Sequence, residues 1–114
     1  MSGEDTIVAI ATPPGRGGIG VIRLSGERAI EIASRLIRLA KPELETQRAT
    51  LGDLCEPESG RVLDQVVVTC FRRPHSYTAE DVVEIACHGA PVILSYVVER
   101  CLAQGARAAD SLAE

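Results

Sequence analysis

Residues 5–26 read DTIVAIATPPGRGGIGVIRLSG, two apolar runs separated by a glycine-rich loop, with an arginine inside the second run. Gly15, Gly17 and Gly20 satisfy a G-x-G-x-x-G spacing. That spacing holds a dinucleotide only where a strand precedes it and a helix follows, so that helix amides meet the pyrophosphate. The residues after Gly20 are VIRLS, β-branched at the start and alternating in character. They predict a strand, so the loop joins two strands and the nucleotide reading loses its physical basis.

Working outward, Thr6–Ala11 and Ile19–Leu24 are two strands, the first ended by Pro13-Pro14-Gly15. Ser25 stands where a helix N-cap belongs, with Glu27 expected in the first turn. Ala29, Ile30, Ala33, Leu36, Ile37 and Ala40 recur at helical spacing, and Pro42 is expected to stop that helix. Arg48–Cys55 and Arg61–Phe71 are two further strands, joined by a reversal at EPESG. The second contains VLDQVVVTCF, the most β-prone part of the chain. Arg72–Asp81 is polar, contains Pro74 and reads as a loop with one helical turn after Thr78. Val82–Cys87 is a strand, Pro91 opens a second helix, Gly105 closes it, and a short strand near Ala106–Ala109 follows. The sum is an α+β domain: a mixed sheet of about five to six strands with two long helices packed on it.

At 114 residues, 1–114 reads as a single domain. No run is long enough for a membrane helix, and MSGED lacks the features of a signal peptide, so no membrane association and a cytoplasmic location are expected. A net charge of −4 argues against the domain holding nucleic acid by itself. Cys55, Cys70, Cys87 and Cys101 are widely spread and form no C-x-x-C pair, so free, mostly buried thiols are expected and no metal site. No G-x-x-x-x-G-K-[ST] occurs, so these residues contain no P-loop.

Two charged residues stand inside apolar strands: Arg23 in VIRLS and Glu84 in VVEIA. Burying either alone is costly. They pair with each other across the sheet, or they mark the two ends of a ligand pocket; residue chemistry leaves both readings open. A carboxylate accepts two parallel bonds from a ring with adjacent N–H donors, and a guanidinium forks onto an anionic or planar group. His75-Ser76-Tyr77 invites a nucleophile reading, but sequence neighbours rarely face one another. His88-Gly89 precedes a helix N-terminus, where amides favour anions, but a cap on local structure is the preferred reading of His88. Arg16, in the glycine loop, is an exposed candidate for a ligand carboxylate or a partner.

DTIVAIATPPGRGGIGVIRLSG followed by VLDQVVVTCFRRPHSYTAEDVVEIACHGAPVIL closely resembles the N-terminal domain of the tRNA modification GTPase family MnmE (TrmE), over about residues 5–107. The resemblance implies a fold like the tetrahydrofolate-binding domain of the glycine-cleavage T protein. It implies homodimerisation and a 5-formyl-tetrahydrofolate cofactor, with Arg23 and Glu84 at the folate-contacting positions. Full-length members carry a helical domain and a G domain that uses GTP, Mg and K. With the flavoprotein MnmG (GidA), they add an aminomethyl or carboxymethylaminomethyl group to C5 of the wobble uridine of tRNA. The family's P-G-E-F-T and A-F-L-N-G-K segments, with a further folate-contacting lysine, are not in these residues. Cys87 and Ala90 stand where the family usually carries glycines. Catalysis by this chain alone is therefore not expected. The alternative is a purely structural dimerisation domain with an incomplete, non-binding folate site.

Overall fold

A computed structural model describes residues 5–11, 18–41, 46–72 and 80–109. Two segments fall in the order anticipated at the N-terminus: β1 (Ile7–Ile10) and β2 (Ile19–Ser25) pair antiparallel, with Ala9 opposite Arg23. The element after Gly20 is thus a strand. After α1 (Ala29–Leu36) come β3 (Ile37–Leu39), β4 (Ala49–Cys55), β5 (Val62–Phe71), β6 (Val82–His88), α2 (Pro91–Ala103) and β7 (Arg107–Ala108). All join one mixed sheet in the order β3-β4-β5-β6-β2-β1-β7, antiparallel except for the parallel β1–β7 pair.

The α+β class holds, with seven strands in place of five to six. The extra strand comes from the end of the first helix. Leu36 is the last helical residue, and Ile37 is extended at φ −127° and ψ 127°. Ile37 and Leu39 pair with Leu54 and Gly52 on β4, and the bare Cα of Gly52 leaves room for the Ile37 methyl group. Strand pairing overrides the helical spacing through Ala40. α1 is therefore only two turns long.

The start of α1 differs too. Ser25 ends β2, and its hydroxyl donates to Glu80 Oε1 at 3.0 Å. The N-cap position is Arg28, which makes no side-chain cap bond; its backbone N–H donates to Thr6 Oγ1 at 3.0 Å, which ties the start of the helix to the segment before β1. Glu27 precedes the helix; the acidic residue of the first turn is Glu31. Arg28 and Arg35 flank Glu31 and hold its carboxyl below the usual range, first through the Arg28 hydrogen bond.

The close of α2 is as anticipated. Gly105 has φ +110°, its N–H donates to the Leu102 carbonyl, and the Ala106 N–H donates to the Cys101 carbonyl. These two bonds make a Schellman motif. The EPESG turn also forms, with Gly60 at φ +74°. The glycine loop at 12–17, Pro42, the 73–79 segment with its helical turn after Thr78, and the residues after Ala109 lie outside the described residues.

Alternation decides the two faces of the sheet. Val8, Ile22, Leu24, Val66, Val68, Val83, Ile85 and Cys87 are buried and form one core with Ala29, Ile32, Ala33 and Leu36 of α1 and Val97 and Cys101 of α2. A Cβ on Gly20 would lie 2.7 Å from Leu94 Cδ2, which places α2 on that same face. The opposite face carries Ala9, Val21, Arg23, Val67, Thr69, Glu84 and Ala86, all half-buried, and no described helix covers it. Among the described residues no helix is long and apolar enough to cross a membrane.

Candidate functional site on the open sheet face

Arg23 and Glu84 are directly opposite each other where β2 pairs with β6. Arg23 Nε and Nη2 both donate to Glu84 Oε2, at 3.1 and 3.0 Å. Their side chains retain 39% and 27% of their exposure, so the pair sits at the surface. Of the two readings the sequence allows, pairing across the sheet is what the structure displays. Arg23 also lines an open hollow of about 530 Å³ beside β1, with Ala9, Ala11, Val98 and Ala108.

Register arranges the open face in three cross-strand rows. Ala9, Arg23, Glu84 and Thr69 form a polar row across β1, β2, β6 and β5. One step along, Val21, Ala86 and Val67 form an apolar row. A further step brings Ile19 opposite His88, at the end of β6. The rows are set by the strict two-residue period of the strands, which puts Glu84, Ala86 and His88 on one side of β6.

His88 is held by a residue that sequence reasoning did not single out. The His88 backbone N–H donates to Asp64 Oδ2 at 3.0 Å, and its Nδ1 contacts Asp64 Oδ1. The Asp64 side chain is only 7% exposed, whereas the His88 side chain is 73% exposed. His88 caps no helix: the N-cap of α2 is Ala90, and it makes no side-chain cap bond. The signal that would have found Asp64 is the one that found Arg23 and Glu84, a charge inside an apolar strand, here VLDQVVV. Beside His88 lies an open depression of about 230 Å³ lined by Gly18, Ile19, Gln65, Val67, Ala86 and Cys87.

The cysteines are free thiols. Burial pushes Cys101 up to about 12. It pushes Cys87 up to about 11, with the Asp64 carboxylate adding to the shift. Burial also raises Cys70. Thiols held protonated are poor nucleophiles and poor metal ligands. Among the described residues no group of three or more His, Cys, Asp or Glu could hold a metal ion. Arg16, His75, Ser76 and Tyr77 lie outside the described residues.

The class these features define is a two-layer α+β domain with helices on one side of its sheet and a charge pair on the other. Residues 6–111 match the family model for the GTP-binding protein TrmE N-terminus, and the chain belongs to that family. It is 61% identical over 112 residues to the tRNA modification GTPase MnmE of Koribacter versatilis, covering 96% of this chain and 25% of that protein. It is 50% identical over 110 residues to the protein of the same name from Thermus thermophilus, covering 96% and 26%. A Moorella thermoacetica protein of that name is 51% identical over 111 residues, covering 94% and 24%. The chain thus spans about a quarter of the length of the curated relatives it matches.

Proposed function

We propose that this domain binds a 5-formyl-tetrahydrofolate-type cofactor on its open sheet face and self-associates as a homodimer. It does so as the N-terminal module of a longer tRNA-modifying GTPase. The observation that carries this reading is the meeting of Arg23 and Glu84, 61 positions apart, at the surface of a sheet face that no described helix covers. A partly exposed ion pair at such a place contributes little to stability, at most about 1 kcal/mol. Its chemistry suits a ligand better: Glu84 accepts from the adjacent N–H donors of a pterin, and Arg23 orients the folate. Both guanidinium donors land on Oε2, so a pterin that takes both carboxylate oxygens displaces Arg23 from at least one of its bonds. The small apolar residues Val21, Ala86 and Val67 beside the pair suit a flat aromatic ring.

The folate supplies a one-carbon unit when bound. The role of this chain is then to bind and present it, not to catalyse. GTP, Mg and K belong to a G domain elsewhere in the longer protein. MnmG (GidA) and tRNA are partners of that longer protein, which modifies C5 of the wobble uridine in the cytoplasm. The relatives named tRNA modification GTPase support this assignment.

Calorimetric titration of the chain with 5-formyl-tetrahydrofolate tests the site. Saturable binding is expected, weakened at least about tenfold by Glu84→Ala, the loss of a charged hydrogen-bonding partner. Equal binding by wild type and variant removes the assignment. The mutual satisfaction of Arg23 and Glu84 favours a second reading, a structural dimerisation domain whose folate site does not bind. Its signature is a dimer in sedimentation at micromolar concentration with no heat of folate binding.

A further inference from the structure

The Asp64–His88 pair is absorbed by neither the core nor the Arg23–Glu84 site. An aspartate whose side chain is 93% buried is costly to keep unless its oxygens are satisfied, and here both are taken by one residue: the His88 backbone N–H on Oδ2 and the His88 ring on Oδ1. A carboxylate has no proton to give, so the ring nitrogen facing it, Nδ1, carries one. That fixes the tautomer and leaves Nε2 as the unengaged ring atom of a side chain that is 73% exposed. A backbone bond and a ring bond to the same carboxylate also fix the ring's orientation. A merely structural bond needs no such fixed and exposed imidazole.

Position gives this arrangement a use. His88 stands four residues from Glu84 on the same side of β6, a distance of about 13 Å at strand rise. Between them lies the apolar row of Val21, Ala86 and Val67, and the depression beside His88 opens onto Val67 and Ala86. A polar anchor, a flat apolar bed and a second polar anchor in one line fit an elongated ligand. Its head carries N–H donors, its middle is an aromatic ring, and its tail is acidic.

We propose that His88, oriented by Asp64, is the contact for the ligand's acidic tail, with the head on Glu84 and the ring over Ala86. The inference rests on the folate reading of the Arg23–Glu84 site and adds a second end to it. With Nδ1–H committed to Asp64, Nε2 is the ring atom left to meet the tail's carboxyl group. The charged groups that register places in line with this anchor are Asp64 on β5, in contact with it, and Glu84 on β6 and Arg23 on β2, four residues along. Asp64 is a positioning residue: it acts on the ligand only through the imidazole.

The test compares two probes on the 114-residue chain: 5-formyl-tetrahydrofolate and 5-formyl-tetrahydropteroate, which lacks the glutamate tail. His88→Ala is expected to weaken the tailed ligand about tenfold or more, as loss of a charged hydrogen bond does, and to leave the tail-less ligand unchanged. Asp64→Asn, which keeps the side-chain shape, is expected to reduce the same tail preference. It also releases the Nδ1–H tautomer, read from the ring nitrogen shifts of His88 by NMR. That tautomer signature would not move if Asp64 only supported the fold. Equal losses for both ligands, or no loss for either, overturn the tail assignment while leaving the folate site standing. If Glu84→Ala binds both ligands as wild type does, or wild type binds neither, the folate reading fails and the tail contact fails with it.

Discussion

The Arg23–Glu84 pair is bonded at 3.0–3.1 Å yet sits at the surface, and these two facts pull its energetics and its chemistry apart. Partly exposed pairs are screened by water, so Arg23→Gln or Glu84→Gln is expected to shift stability by less than about 1 kcal/mol in urea titration. The exchange Arg23→Glu with Glu84→Arg restores an ion pair but moves the carboxylate to β2. It is expected to unfold like wild type and to bind no folate, whereas undiminished folate binding would show that the pair's polarity is irrelevant. Both residues were legible in the sequence because a charge in an apolar strand is conspicuous. Their contact was not, because the register of β2 against β6 depends on pairing across 61 positions and not on local pattern. Asp64 was illegible for a subtler reason. VLDQVVVTCF reads so strongly as a strand that its charge was absorbed into the pattern, although near-burial made it the more demanding residue.

Elements here are positioned by close backbone approaches. Gly26 has φ +141°, and a Cβ there would lie 2.4 Å from the Asp5 carbonyl oxygen, so Gly26→Ala is expected to cost roughly 2–3 kcal/mol in chemical denaturation. At Gly20 the obstructing atom is Leu94 Cδ2 at 2.7 Å, the end of a flexible side chain that can turn aside. Gly20→Ala is therefore expected to cost only about 1 kcal/mol, with Gly20→Val costing more. If both alanine variants were as stable as wild type, these approaches would not be limiting. Thr6→Val removes the acceptor of the Arg28 backbone N–H and should cost about 1 kcal/mol. Gly20 also explains why a G-x-G-x-x-G spacing occurs without a nucleotide: its missing side chain admits α2 onto β2. Every strand but β3, and α2 with them, was legible because two-residue alternation, Pro91 and Gly105 are local signals. The shift from α1 to β3 was not, since Leu36, Ile37 and Leu39 satisfy either period and only pairing with β4 selects the strand. The Thr6 bond to Arg28 was equally out of reach, because it crosses 22 positions.

A single helical layer on a single sheet concentrates the core into one slab, and three of the four cysteines lie in it. Cys101 is pushed up to about 12 and Cys87 to about 11 by loss of hydration, and Cys70 is raised for the same reason. These shifts tie the stability of the whole domain to alkaline pH. An acid whose folded value lies above its unfolded value stabilises fully below the unfolded value, near 9 here, and loses that contribution as pH rises toward the folded value. Above pH 9 the unfolded chain ionises its thiols and the folded chain does not. Cys87 and Cys101 then each lower stability by roughly 1.4 kcal/mol per pH unit until their folded values are approached, and Cys70 acts in the same direction. Urea unfolding at pH 8, 9 and 10 should therefore show a flat region followed by a steep decline. Cys101→Ala should reduce the slope of that decline, whatever it does to stability at pH 8. An unchanged slope would place the alkaline loss in other groups. The same thiols should resist iodoacetamide in the folded chain at pH 8, leaving half-buried Cys55 as the site modified first. Modification of Cys101 at a comparable rate would mean that the slab opens far more often than its packing implies.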